Sequence, residues 1–321
     1  MSQLHIPYID ADEVFALLSP LEAVQAVETA IRGGLDPSKD CPRGVVPVRN
    51  GQFLLMPADS GAVAGVKVAT VSPGNAALSI PRIQGVYVLF DAQTLTPTAI
   101  LDGTALTILR TAAVSVAAAR LFLERRPGPL NVVVYGTGPQ GVAHVRSLMA
   151  LESLDIQRVT HVVRTPRAVK NYPNVVLRVC LSASVDEAHA LQNADVVICA
   201  TSAKEPLFDS ALLHRNPVVI AVGSHEPDAR EVDSNFLARA VVVVEDVDTA
   251  LRECGDVIIA AAEGRIDASK LVPMTAVIKG EVDPPGGPIL FKSSGMSWED
   301  LVVAEAVAAR QVGIHAEPVS P

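Results

Sequence analysis

Asn131-Val132-Val133-Val134-Tyr135-Gly136-Thr137-Gly138-Pro139-Gln140-Gly141 is the stretch that decides the fold. Residues 132–135 form an unbroken apolar and β-branched run, the pattern of a strand buried on both faces of a parallel sheet. Residues 142–151 follow with helical spacing and no breaker. The Gly-x-Gly-x-x-Gly therefore falls at a strand-to-helix turn, where it is a far more specific dinucleotide-binding signal than glycines alone. Gly136 is expected to make the tight turn, and Gly138 to let the backbone approach a pyrophosphate. Gly141 should bring the helix close to the strand, with the helix N-terminal N–H groups aimed at the anion. Thr137, Pro139 and Gln140 complete the loop.

Downstream, strands are expected over 159–163, 175–179, 196–200, 218–222 and 241–244, with helical segments between most of them. That alternation predicts an α/β Rossmann-type, doubly wound parallel sheet. Upstream the pattern differs. Ser19-Pro20-Leu21-Glu22 reads as an N-cap with proline at the first helical position, and the helix ends at Gly33-Gly34. Short strands are expected over 45–48, 53–57, 62–70, 84–91 and 96–101, with turns at Asn50-Gly51 and Pro73-Gly74-Asn75, then an Ala- and Leu-rich helix over 103–123. Pro127-Gly128-Pro129 and Asp283-Pro284-Pro285-Gly286-Gly287-Pro288 punctuate the chain. They suggest an α+β domain over 1–126, completed by an amphipathic helix over 298–311 within a returning segment 288–321, and a Rossmann domain over 127–287. The tail 317–321 is expected to be loose.

The 321 residues are enough for two domains, and a 49% hydrophobic content supplies their cores. A net charge of −9 without a long basic run argues against nucleic acid as a partner. The four cysteines (Cys41, Cys180, Cys199, Cys254) lack paired spacing and read as structural thiols in a reducing compartment. The N-terminus lacks a signal-peptide layout, and no apolar run reaches membrane-spanning length. A soluble cytoplasmic protein is expected. His5, His144, His161, His189, His214 and His315 show no metal-ligand spacing, so no metal site is expected.

An NAD-binding fold usually places an acid at the end of its second strand, roughly 20 residues beyond the glycines. Here that strand runs into Arg164-Thr165-Pro166-Arg167. Arginine pairs with a 2′-phosphate that a carboxylate would repel, which favours NADP(H) over NAD(H). Three cations interrupt apolar stretches of the first domain: Arg43, Lys67 and Arg110. A buried cation is costly without an anionic partner. Each alone is compatible with an ordinary ion pair; as a trio they would clamp a small carboxylate.

Beyond these single signals, the chain resembles the ornithine cyclodeaminase/mu-crystallin family nearly end to end. The matching pieces are Pro42-Arg43, Phe53-Leu54-Leu55-Met56-Pro57, Gly65-Val66-Lys67, Ser72-Pro73-Gly74-Asn75, Gln84-Gly85, Asp102-Gly103-Thr104 and Arg110-Thr111-Ala112-Ala113. They continue with the glycine loop, Ala200-Thr201-Ser202, the run from Gly223-Ser224-His225-Glu226-Pro227 to Arg230-Glu231, and Phe291-Lys292-Ser293-Ser294-Gly295. The resemblance implies a homodimer whose first domain binds substrate and dimerises. It also implies that Arg43, Lys67 and Arg110 bind the substrate carboxylate and that Met56 lines the pocket. Thr111, Thr201 and Ser202 would lie near the cofactor, and Ser293 by the nicotinamide.

Two departures separate the chain from ornithine cyclodeaminases. His225 stands where they carry a catalytic aspartate, and Leu54 where they carry a glutamate suited to a distal amine. The resemblance is thus closer to the ketimine-reductase branch. The expected activity is NADPH-dependent reduction of small cyclic ketimino acids such as pyrroline-2-carboxylate or piperideine-2-carboxylate, with Lys67 or His225 supplying the proton. One alternative is an ornithine cyclodeaminase-like enzyme or an amino-acid or N-alkyl-amino-acid dehydrogenase. Another is a non-catalytic, NADPH-regulated small-ligand binder, against which the retained cation trio argues.

Overall fold

The computed structural model describes residues 6–78, 80–282 and 286–315. His5, the Asp283-Pro284-Pro285 part of the second punctuation, and the tail 317–321 lie outside them. The chain forms two compact units, one from the residues up to Thr111 together with those from Met296 onward, the other from Ala112 to Gly295.

The first unit begins with β1 (Tyr8–Ile9), α1 (Ala11–Leu17) and α2 (Pro20–Arg32). Both helices start with a reciprocal capping box, Asp10 with Glu13 and Ser19 with Glu22, and Pro20 needs no N–H at its position. Strands β2 (Gly44–Val48), β3 (Gly51–Asp59), β4 (Val63–Val71), β5 (Ile83–Asp91) and β6 (Pro97–Asp102) follow, then α3 (Gly103–Leu123). They form a six-stranded sheet in the order β1-β6-β5-β4-β3-β2, antiparallel except for the β1–β6 pair. The β2–β3 turn is Arg49-Asn50 rather than Asn50-Gly51, because Gly51 already pairs with Val48. Pro73–Leu78 is a short 3₁₀ helix rather than a simple turn.

One face of this sheet is core. It carries Met56, Gly65, Lys67, Ala69, Tyr87, Leu89, Ala99 and Leu101, and the closing helix α10 (Ser297–His315) lies across β3, β4 and β5 and against α2. Tyr87 leans over Gly65, where a Cβ would come within 2.4 Å of its hydroxyl. The opposite face presents Val46, Val48, Phe53 and Val86 to solvent.

The second unit carries β7 (Leu130–Tyr135), α4 (Pro139–Met149), β8 (Ile156–Val163), β9 (Val176–Leu181), α5 (Val185–Gln192), β10 (Val196–Cys199) and β11 (Val218–Ala221). It continues through α6 (Ser234–Leu237), β12 (Val241–Val244), α7 (Val247–Glu253), α8 (Gly255–Ala262), β13 (Val272–Pro273), α9 (Met274–Ile278) and β14 (Ile289–Lys292). Eight parallel strands are ordered β13-β12-β14-β11-β10-β7-β8-β9. Their near-continuous valine and isoleucine content suits a sheet covered on both faces. The chain starts at β7, steps out to β9 and returns to β10 on the other side of β7. The β7/β10 gap is therefore the topological switch point where such folds bind ligands.

The sequence pattern does not predict β14, which pairs with β11 on one side and β12 on the other. That pairing keeps the chain in the second unit as far as Gly295, and the other division falls within α3 at Thr111. These limits compare with 126/127 and 287/288 suggested by the Pro- and Gly-rich punctuation. One correction concerns α3. It is long and apolar enough by composition to cross a membrane, contrary to the sequence reading. Since 78% of its most apolar window is buried inside the protein, it is a core helix.

Candidate active site

In the second unit the glycine loop has the geometry its sequence predicts. Gly136 adopts φ +101, open to glycine and strained for other residues. Gly138 is the N-cap of α4, Pro139 opens the helix, and a Cβ on Gly138 would meet nothing within 4 Å. A Cβ on Gly141 would lie 3.0 Å from Val134 Cγ1, so the third glycine sets the strand–helix distance. Two buried histidines brace the loop. His161 Nδ1 donates to the Gly136 carbonyl (2.8 Å) and its Nε2 faces the Tyr172 hydroxyl (3.0 Å). His144 Nδ1 donates to the Gln140 carbonyl (2.8 Å) and Nε2 faces Ser115 Oγ (2.9 Å). Burial pulls His144 down to about 4, so it is a neutral brace rather than a proton carrier. Arg164, Thr165 and Arg167 follow β8 and are exposed. The residues present fit a dinucleotide: a loop bare of side chains at its second glycine, a helix N-terminus behind it, and guanidiniums beyond β8.

The loops that follow β10 and β11 are tied together by one carboxylate. Glu231, fully buried, accepts from Thr201 N (2.8 Å), Thr201 Oγ1 (2.8 Å) and Gly223 N (2.7 Å). A Cβ on Gly223 would come within 2.0 Å of the Thr201 carbonyl oxygen, so no larger residue fits there. Below, Asp256 accepts from the backbone N–H groups of Glu231 and Val232 (2.8 and 2.9 Å) and pairs with Lys292 at 3.2 Å. Lys292 also donates to the Ser224 carbonyl (2.5 Å). Burial alone would lower the Lys292 pKa; attraction by Asp256, then Cys254 and Glu231, carries it above its ordinary value. Burial pushes Glu231 up, opposed by Lys292 and by its donors. This network fixes the loop that presents His225, which is exposed, and the Thr201-Ser202 turn. Ser293, buried, donates to Glu245 Oε1 (2.6 Å), whose carboxylate also accepts from Ser294 and Gly295 N.

In the first unit, Met56, Lys67, Tyr87 and Leu101 lie side by side across β3, β4, β5 and β6. Leu54 shares that face, half-buried, two residues before Met56. Lys67, only 4% exposed, donates to Asp300 Oδ2 at 2.5 Å and approaches Thr107 Oγ1 at 3.4 Å. Arg110, one turn beyond Thr107 on α3, pairs with Glu299 and lies 3.4 Å from Asp300 Oδ1. Thr111 Oγ1 donates to the Thr107 carbonyl (2.8 Å). Arg43 is half-buried, in the segment before β2. Burial pulls Lys67 down to about 8, with Asp300 opposing the fall and Arg110 deepening it. The sequence reading missed Glu231, Glu245, Asp256, Lys292, Glu299 and Asp300 as site-forming residues. The usable signal is the one that exposed Lys67: a charge set among apolar neighbours.

A Rossmann unit with a dinucleotide loop, joined to an α+β unit that buries Lys67 on its sheet and Arg110 on α3, defines an NAD(P)-binding two-unit protein. Residues 9–314 match the ornithine cyclodeaminase/mu-crystallin family, and the chain belongs to it. The chain is 32% identical to the ketimine reductase mu-crystallin of Mus musculus, over 91% of this chain and 90% of the relative. It is 30% identical to the Delta(1)-pyrroline-2-carboxylate reductase of Colwellia psychrerythraea, over 80% of this chain and 83% of the relative. Among solved structures it is similar to the Thermococcus litoralis Delta(1)-pyrroline-2-carboxylate reductase in complex with NADH and L-proline. There the TM-score is 0.82 at 25% identity, covering 96% of this chain and 98% of the other. An archaeal alanine dehydrogenase dimer with bound NAD gives a TM-score of 0.84 at 25% identity, covering 97% of each chain.

Proposed function

We propose that this protein reduces small cyclic ketimino acids, of the pyrroline-2-carboxylate and piperideine-2-carboxylate type, by hydride transfer to the C=N carbon. The observation that carries the proposal is Lys67, buried on the core face of the first sheet and sharing Asp300 with Arg110 of α3, in a chain that also carries the dinucleotide loop. The bound dinucleotide supplies the hydride. Arg110 and Arg43 hold the substrate carboxylate; a guanidinium forms two parallel bonds to it. Leu54 and Met56 offer an apolar wall to the ring, and neither can hold a distal amine. Reduction also needs a proton on nitrogen. Lys67 is the better donor than His225, because its ammonium is buried on the face that carries these side chains and its pKa of about 8 allows proton release near neutrality. His225, Thr201, Ser202, Ser293 and Thr111 are assigned to the cofactor side of the reaction.

NADP(H) is the preferred cofactor on the strength of Arg164 and Arg167 at the end of β8, where no carboxylate stands; Thr165 lies between them. A homodimer is proposed through the apolar outer face of the first sheet, where Val46, Val48, Phe53 and Val86 are exposed. Free thiols at Cys41, Cys180, Cys199 and Cys254 fit a reducing, cytoplasmic setting. The test is NADPH oxidation with each cyclic imine, with NADH and with L-ornithine plus NAD+ as controls. Ammonia release from ornithine, without imine turnover, would overturn the proposal.

A further inference from the structure

The three cations come from three places in the sequence, yet each leads to the same short piece of chain, the first turn of α10. Asp300 accepts from Lys67 at 2.5 Å, and Glu299 pairs with Arg110, which also lies 3.4 Å from Asp300. The backbone N–H of Ser297 donates to Asp40 Oδ2 at 2.6 Å, and its hydroxyl reaches the Cys41 carbonyl at 3.5 Å, which ties down the segment leading to Arg43. Glu299 and Asp300 are both fully buried. Carboxylates in a first helical turn are favoured by the helix dipole, which lowers the cost of burying them. We propose that Glu299 and Asp300 are positioning residues for imine reduction: their carboxylates preassemble Arg110 and Lys67, Asp300 keeping the Lys67 ammonium charged and aimed, while Ser297 anchors the Arg43 segment.

The inference rests on the proposed reductase activity but reaches Glu299 and Asp300, which the sequence reading did not assign to it. Charged groups facing Lys67 are Asp300 and Glu299 from α10 and Arg110 from α3. Tyr87 stands beside it on β5 and Met56 on β3. Burial and Arg110 favour the neutral amine, and Asp300 is the largest influence favouring the ammonium. Removing its charge lets Lys67 lose its proton at lower pH. Reduction, which consumes a proton from the ammonium, then fails at lower pH.

The preassembly is tested on the full chain through its single tryptophan, Trp298, which is buried between Ser297 and Glu299 and reports directly on this turn. Asp300→Asn, Glu299→Gln, Asp40→Asn, Lys67→Met and the Lys67→Met/Asp300→Asn pair are compared with wild type. Expected for Asp300→Asn is a kcat loss on the order of 10- to 100-fold, the scale of a slightly misplaced reacting group, with the KM for NADPH unchanged. The alkaline limb of its pH profile moves to lower pH, and the change adds little on the Lys67→Met background. Glu299→Gln and Asp40→Asn raise the imine KM more than they lower kcat. If Asp300→Asn does not fold, Glu299→Gln and Asp40→Asn carry the test. Folded variants with wild-type kcat, imine KM and pH limb overturn the inference.

If wild type reduces neither imine, the activity reading fails, and quenching of Trp298 by pyrrole-2-carboxylate decides the inference. Wild-type quenching that is weakened in the carboxylate variants supports preassembly. Equal quenching in all of them, or none in wild type, overturns it.

Discussion

Replacing Glu231 by glutamine keeps the side-chain shape but leaves one acceptor oxygen where there were two. The carboxylate receives three donors, Thr201 N and Oγ1 on Oε1 and Gly223 N on Oε2. Either orientation of the amide turns an NH₂ toward a backbone N–H. A lost bond to a charged acceptor is worth about 1.5–3 kcal/mol, and a backbone donor left unpaired in a buried site about 1–3 kcal/mol more. Removing a charge that burial disfavours returns part of this, so a net loss of about 3 kcal/mol is expected. For a unit running from Ala112 to Gly295, that corresponds to a fall in Tm of about 6–12 °C, read by scanning calorimetry. Amide exchange at Thr201 and Gly223 should accelerate together. A Tm within about 2 °C of wild type, with both amides still protected, would refute the claim that this carboxylate ties the two loops together.

Four further outcomes are expected. Gly223→Ala places a Cβ 2.0 Å from the Thr201 carbonyl and 2.5 Å from Glu231 Oε1, so the variant should be recovered mainly insoluble; a soluble, active protein would contradict the packing. Lys67 has its pKa lowered to about 8, so imine reduction that uses its ammonium should hold below pH 8 and decline above it. A profile flat to pH 10 would remove Lys67 as donor. The same lowered pKa means that the unfolded chain binds this proton more tightly than the folded one. This group's contribution to stability therefore rises as pH climbs from about 8 toward the ordinary lysine value, which urea titrations of wild type and Lys67→Met would compare. Arg164→Ser with Arg167→Ser should raise the KM for NADPH about tenfold or more and leave that for NADH nearly unchanged, since only one ligand carries the extra phosphate. Equal effects on both cofactors would point instead to general loop damage.

Most strands of both units were legible because each unit repeats one period, alternation in β3, β4 and β5 and apolar β-branched runs in β7, β10, β11 and β12, whereas the two-residue β1 and β13 are too short to show one. The glycine loop was legible because its strand and helix are adjacent in sequence. The partners of the cations were not, since Asp300 lies 233 residues from Lys67 and Glu299 lies 189 from Arg110. No local pattern carries a pairing across that distance. Yet Lys292 at the end of Ile-Leu-Phe-Lys, and the Glu299-Asp300 pair opening an apolar helix, carry the signal that singled out Lys67. A charge inside an apolar run demands a partner. Strand β14 escaped because four residues after a Pro- and Gly-rich stretch have no period of their own. In α3, apolarity alone does not distinguish a core helix from a span, and its burial does.

Imine reduction is tested most directly by following the hydride itself. The enzyme is given pyrroline-2-carboxylate and NADPH with both hydrogens of the nicotinamide C4 replaced by deuterium, so that transfer from either face carries label, and the product is analysed by mass spectrometry. Hydride transfer to the C=N carbon yields proline carrying one deuterium at C2, in step with the NADPH consumed. Proline without label, or consumption of NADPH without proline, would contradict it.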